Sequence, residues 1–247
     1  MVGNGAALVG VRLKLLSGKE IKHKVFMSMW LGFGTNQARE QYVAEVIKSA
    51  EGMETLNPVD SCTIHNPCLP QDLALTEMVS SHHPTPHTLV GTGSFTQCLQ
   101  ETAPLLNKDA PCSDAPCLFN GIHVPHINFV SSHFIGVSEY WYSSEHVFGL
   151  GGPYDFVQYE RAASQFCSRD WNRIVEQHET PKKAGLLGGD REVMQTRNGQ
   201  VVETGKWDDR VEISPLPVQM PCFKVAWVAN VLHEGIGIHT SHRGPWR

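Results

Sequence analysis

Tyr140, Trp141 and Tyr142 stand side by side in this chain. A helix advances 3.6 residues per turn, so three adjacent aromatic rings cannot all face a core. At least one must lie at an edge or on the surface, where it can stack on a flat ligand. Plain core packing is the competing reading.

The other residues with chemical potential weigh less. Cys62-x-x-His65-x-x-Cys68, with His82, His83 and His87 nearby, offers sulfur and nitrogen donors for a metal. Zinc motifs have tighter, paired spacing, so this stretch reads as a structural loop. His233-Glu234 echoes a zinc-protease helix, but Gly237 stands where the second histidine must be. His239 and His242 read as solvated tail residues. Glycines at Gly91-Thr92-Gly93, Gly149-Leu150-Gly151-Gly152 and Gly188-Gly189-Asp190 lack the Gly-x4-Gly-Lys-Ser/Thr phosphate pattern and read as turns and caps.

Seven cysteines, an odd count, leave at least one unpaired if the others bridge. Cys112 and Cys117, bracketing Pro116 and leading into Asn120-Gly121, suit a small disulfide loop over a turn. Such a loop contributes about 2 kcal/mol on the loop-entropy model. No Asn-x-Ser/Thr sequon occurs, and Met1–Gly10 lacks the basic start and apolar core of a signal peptide. Bridges without a leader suggest a chain cut from a longer one.

A net charge of −5 without a lysine and arginine cluster argues against a nucleic-acid partner. Hydrophobic residues at 41% and charged residues at 18% suit a globular core, and no run approaches a membrane-spanning length.

Alternation at Val11, Leu13 and Leu15, a turn at Ser17-Gly18-Lys19, and alternation at Ile21, His23, Val25, Met27 and Met29 predict a β-hairpin. Thr35 would cap a helix with Ala38, Tyr42, Val43, Val46, Ile47 and Ala50 on one face, closed by Gly52. Residues 54–88, with five prolines, read as irregular. A strand at Leu89–Gly91, a helix at Phe95–Leu106, an aromatic helix within 133–149, one helix over Tyr154–Val175 and a last helix at Cys222–His233 follow. Residues 178–218 are polar and weakly patterned and read as an insertion or loop.

The order Cys112-x4-Cys117-Leu-Phe-Asn120-Gly121, Phe134-Ile-Gly-Val-Ser138-Glu-Tyr140-Trp141-Tyr142 and Phe166-Cys167-Ser-Arg-Asp-Trp171 resembles the nucleoside triphosphate diphosphohydrolase family, the apyrases and guanosine diphosphatases, in its Golgi branch. The resemblance covers residues 11–238. It implies an α/β, ribonuclease-H-like lobe of an actin-like ATPase fold, a mixed sheet with flanking helices, incomplete at both ends. Residues 1–247 would form a single partial domain, the second lobe, with 239–247 an atypical tail.

Several roles follow from the resemblance. The family's Phe-Ser-x-Phe-Tyr-Tyr run aligns with Val137–Tyr142, giving Tyr142 the base-stacking position, with Tyr140 beside it, and Ser138 a place near sugar or base. Thr35 and Asn36 take two polar positions that touch the base. An arginine clamp is implied just before Cys222, where Leu216–Pro221 has none. The disulfides would be Cys68–Cys98, Cys112–Cys117 and Cys167–Cys222, with Cys62 left over.

The activity implied is hydrolysis of nucleoside di- and triphosphates such as UDP, GDP or ATP to the monophosphate, with Ca²⁺ or Mg²⁺ in the full-length parent. That parent would be membrane-anchored outside this segment, in the Golgi or endomembrane lumen. The family's Asp-Gly-rich phosphate loops and its glutamate general base have no counterpart here, so this chain alone would be inactive, with no catalytic residue and no metal of its own. The alternatives are a catalytically dead nucleotide-binding or protein-interaction module from the same lobe, and a metal-binding cytosolic protein.

Overall fold

A computed structural model describes residues 6–14, 17–28, 32–54, 63–77, 86–130, 134, 136, 139–150, 153–176, 192–197, 200–206 and 221–238, with backbone alone for most of the first two and last two strands. Its elements are β1 (Ala6–Lys14), β2 (Glu20–Ser28), α1 (Thr35–Glu54), β3 (Thr63–Asn66), β4 (Ala74–Glu77), β5 (His87–Gly91), α2 (Phe95–Thr102), α3 (Glu139–Trp141), α4 (Phe156–Cys167), a short helix over 171–176 (α5), β6 (Glu192–Arg197), β7 (Gln200–Lys206) and α6 (Pro221–Asn230). The helix α3 widens into a π turn over Tyr142–His146, and α6 into another over Val231–Gly235.

The predicted hairpin is present. β1 and β2 pair antiparallel with Val9 opposite Val25, Val11 opposite His23 and Leu13 opposite Ile21, so the alternating residues share a face. Gly18 adopts φ +80° in the connection. Leu15 and Met29 lie outside the described residues.

β3, β5 and β4 form a three-stranded mixed sheet, with β3 parallel and β4 antiparallel to the central β5. Ile64 and Leu75 flank Leu89 in register, and Leu89 is wholly buried. Two strands thus occupy a stretch expected to be irregular. Each has four residues, too few for alternation to stand out among the prolines. α1 lays Ala38, Tyr42, Val43 and Ile47 into the core, the stripe that its spacing predicts. Its cap falls one residue early: the Gly34 carbonyl accepts the Ala38 N–H at 2.9 Å, and Thr35 is the first helical residue. Gly52 lies inside the last turn instead of ending it.

The expected single helix over Tyr154–Val175 is two. Asp155 caps α4, its side chain accepting the Gln158 N–H at 3.1 Å, and α4 ends at Cys167. The break lets the backbone of Gln71 in: its N–H donates to the Cys167 carbonyl at 3.0 Å and its carbonyl accepts from Trp171 at 2.9 Å. Asp170 then caps α5 through the Arg173 N–H at 3.1 Å. Within the polar stretch 178–218, β6 and β7 pair antiparallel, and in the sequence Asn198-Gly199 stands between them. That dipeptide is a strong hairpin signal, which the polar composition masked.

The core converges on α6, which is buried all round except at Lys224. Cys167–Cys222 ties its start to the end of α4, and Cys68–Cys98 ties the loop after β3 to α2. The two bridges are neighbours, with Cys98 Sγ 3.9 Å from the Cys222 carbonyl. Loops of 30 and 55 residues give each bond about 4 kcal/mol by the loop-entropy model. Asn230 donates to the Leu99 carbonyl and to Thr102 Oγ1, each at 2.8 Å, which satisfies a buried amide while joining α6 to α2. Cys112–Cys117 closes the exposed loop before the turn at Phe119–Gly121.

Gly93 has φ +64°, and a Cβ there would meet the Cys167 carbonyl oxygen at 2.3 Å. Gly93→Ala therefore forces both a left-handed alanine and a backbone clash. The expected loss is about 3 kcal/mol of stability, read by urea unfolding with the disulfides intact.

Candidate nucleotide-binding surface

The aromatic run resolves as its spacing requires. Tyr140 turns inward, against the cluster of Val228, Leu232 and Ile238. Trp141 and Tyr142 turn outward, with 44% and 48% of their surfaces exposed. An exposed ring on the outside of a helix is available to stack on a planar ligand.

Burial pushes the Tyr140 phenol above its ordinary range. Tyr154 is raised by burial and by the Asp155 carboxylate, and Tyr159 by burial and by Tyr154 and Tyr140. All three stay neutral hydroxyls at physiological pH. The Tyr159 hydroxyl donates to the Val225 carbonyl at 3.4 Å, anchoring that ring to α6.

The second predicted segment lies at the start of α1. Asn36 is exposed and Thr35 partly so. The preceding Phe33 is held by α6: its carbonyl accepts from Trp227 Nε1 at 3.1 Å, and its ring stacks on Trp227 with centroids 6.4 Å apart. The aromatic helix is held by the same element, since Lys224 Nζ lies 3.2 Å from Glu139 Oε2. Lys224 and Trp227 are three residues apart and therefore share one face of α6. That face therefore contacts both Phe33, two residues before Thr35, and Glu139 at the start of the aromatic helix. Ser138 lies outside the described residues.

Lys224 and Trp227 did not stand out in the sequence, because their partners at Glu139 and Phe33 are 85 and 194 residues away. The local signal that could have found Lys224 is its place as the one charged residue of an otherwise apolar helix.

The metal reading of the cysteine–histidine stretch is not supported. Cys68 is bonded to Cys98, and the side chain of His87 faces Glu51 Oε1 at 3.2 Å. Cys62, His82 and His83 lie outside the described residues. Among the described residues no three histidine, cysteine, aspartate or glutamate side chains converge on one point. Gly91 and Gly93 serve close packing, since a Cβ on Gly91 would fall 1.9 Å from the Pro70 carbonyl oxygen. No helix among the described residues is long and apolar enough to cross a membrane.

The model of the GDA1/CD39 (nucleoside phosphatase) family matches residues 12–186. The chain belongs to this family. GDA1/CD39 proteins have an actin-like ATPase fold, and the mixed β3–β5–β4 sheet with flanking helices is compatible with one lobe of it. The chain is similar to a Golgi apyrase of Saccharomyces cerevisiae, 35% identical over 226 residues, which are 90% of this chain and 31% of that protein. It is also similar to a Golgi apyrase of Schizosaccharomyces pombe, 31% identical over 236 residues, 94% of this chain and 34% of that protein. A nucleoside-diphosphatase of Caenorhabditis elegans is 28% identical over 226 residues, 90% of this chain and 35% of that one. The chain spans about a third of the length of these relatives.

Replacing Trp227 by Phe removes the hydrogen bond to Phe33 and the pyrrole half of a buried indole. The expected cost is about 2 kcal/mol of stability. Hydrogen exchange should rise at Gly34–Ala38 and stay unchanged in β5.

Proposed function

We propose that residues 1–247 are the second, nucleobase-binding lobe of a Golgi-type nucleoside di- or triphosphatase. The parent hydrolyses nucleotides such as UDP, GDP or ATP to the monophosphate, with water as nucleophile. Membership of the GDA1/CD39 family and similarity to proteins named Golgi apyrase and nucleoside-diphosphatase support this reading. The observation that carries it is the outward pair Trp141 and Tyr142, on a helix tied through Glu139 to the same face of α6 that holds Phe33. In this reading Tyr142 stacks on the base, Tyr140 seats the helix, and Ser138, Thr35 and Asn36 make polar contacts to base or ribose.

Phosphate chemistry belongs to the rest of the parent. The described residues offer no cluster for Ca²⁺ or Mg²⁺, and the sequence carries no Asp-Gly phosphate loop. In this reading the divalent ion of the parent and its membrane anchor lie outside this lobe, and the chain alone binds nucleotide without turning it over. Three disulfides suit an oxidising lumen such as the Golgi's.

The purified chain, supplied with Mg²⁺ or Ca²⁺, should release no phosphate from UDP, GDP or ATP. It should bind UDP in calorimetry, and Tyr142→Ala should raise Kd about tenfold, the worth of a stacked ring. Metal-dependent phosphate release that survives purification would contradict the division of labour between lobes. An unchanged Kd in Tyr142→Ala would contradict the stacking role.

A further inference from the structure

His233 is the histidine of the zinc-protease echo that no metal reading could use. It sits in the π turn that follows α6. Its Nδ1 lies 2.6 Å from the Ile238 carbonyl oxygen, and its Nε2 lies 3.0 Å from the Tyr154 hydroxyl. A carbonyl only accepts, so Nδ1 carries the hydrogen. In the neutral ring Nε2 is then an acceptor, and the Tyr154 O–H donates to it. Phe156 meets the ring edge-on with centroids 4.5 Å apart, and Tyr154 stacks on it at 5.8 Å. The imidazole is thus fixed in both orientation and tautomer.

Both hydrogen-bond partners lead to the aromatic helix. Ile238 forms a small buried cluster with Val228 and Leu232, and Tyr140 and Tyr154 pack against it. The carbonyl of Ile238 is held by His233, while its N–H donates to the Leu232 carbonyl at 2.9 Å. On another side, Gly136 comes so close that a Cβ there would be 3.0 Å from Tyr140 Cβ. Tyr140 is confined from both directions, and helical geometry then sets where Trp141 and Tyr142 point.

We infer that His233 is a positioning residue for the Trp141–Tyr142 face. By donating to Ile238 and accepting from Tyr154 it fixes the wall on which Tyr140 is seated, and so the outward set of the two stacking rings. The consequence for nucleotide affinity rests on the base-stacking reading above. The consequence for the orientation of Trp141 does not.

The test is ¹⁹F NMR of the chain labelled with 5-fluorotryptophan, with resonances assigned through Trp141→Phe and Trp227→Phe. Tyr154→Phe and His233→Leu should each move the Trp141 resonance, leave that of Trp227 in place, and weaken UDP binding about tenfold. His233→Gln, whose amide oxygen can accept from Tyr154, should restore the Trp141 resonance and the affinity. A Trp141 resonance that stays put in both Tyr154→Phe and His233→Leu would overturn the inference, as would a Gln variant as damaged as the Leu one. Should His233→Leu fail to fold, Tyr154→Phe removes a single hydroxyl and gives the same reading. If the unsubstituted chain does not bind UDP, the base-stacking reading falls, while the Trp141 resonance still decides the role of His233.

Discussion

The Cys167–Cys222 bond sets the start of α6 beside the end of α4, and the candidate surface is referred to α6 throughout. A helix apolar on nearly every side has no amphipathic stripe to orient it, so its rotation must be fixed by other means. Here the means are the disulfide at its first turn, the neighbouring Cys68–Cys98 bridge and the Asn230 side chain that reaches α2. With rotation fixed, Lys224 and Trp227 can only face the aromatic helix and the Phe33 loop.

This arrangement separates two tasks. Buried bonds and packing hold α6, and two polar contacts at its surface hold the segments that could meet a ligand. The inner tyrosines stay neutral because burial disfavours their charged forms. The neutral hydroxyls of Tyr159 and Tyr154 donate to the Val225 carbonyl and to His233. The platform is therefore set by hydrogen bonds of defined direction together with the Lys224–Glu139 ion pair, the one of these contacts that salt would weaken.

How much of this could be read from the residues depends on the range of the interactions. The α1 stripe, the β1–β2 hairpin, β5 and α6 follow from local periodicity, and the structure contains them. That at least one of the three adjacent rings must lie outward follows from helix geometry, but which ring turns inward does not. β3 and β4 were hidden because four-residue strands leave almost no pattern. The break after Cys167 was hidden because its cause, the backbone of Gln71, is nearly a hundred residues earlier. The hairpin β6–β7 was legible in Asn198-Gly199 but lost in a polar background. The part of the site least legible locally is its organiser, since Lys224 and Trp227 acquire meaning only once α6 has been placed.

The most direct test of the base-binding face is photolabelling with 5-azido-UDP, whose reactive group sits on the uracil, followed by peptide mapping. The account predicts adducts within residues 139–150, centred on Trp141 and Tyr142, with competition by UDP but not by pyrophosphate. Labelling concentrated elsewhere, or competed equally by pyrophosphate, would contradict it, because the ligand would then be held by its phosphates and not by its base.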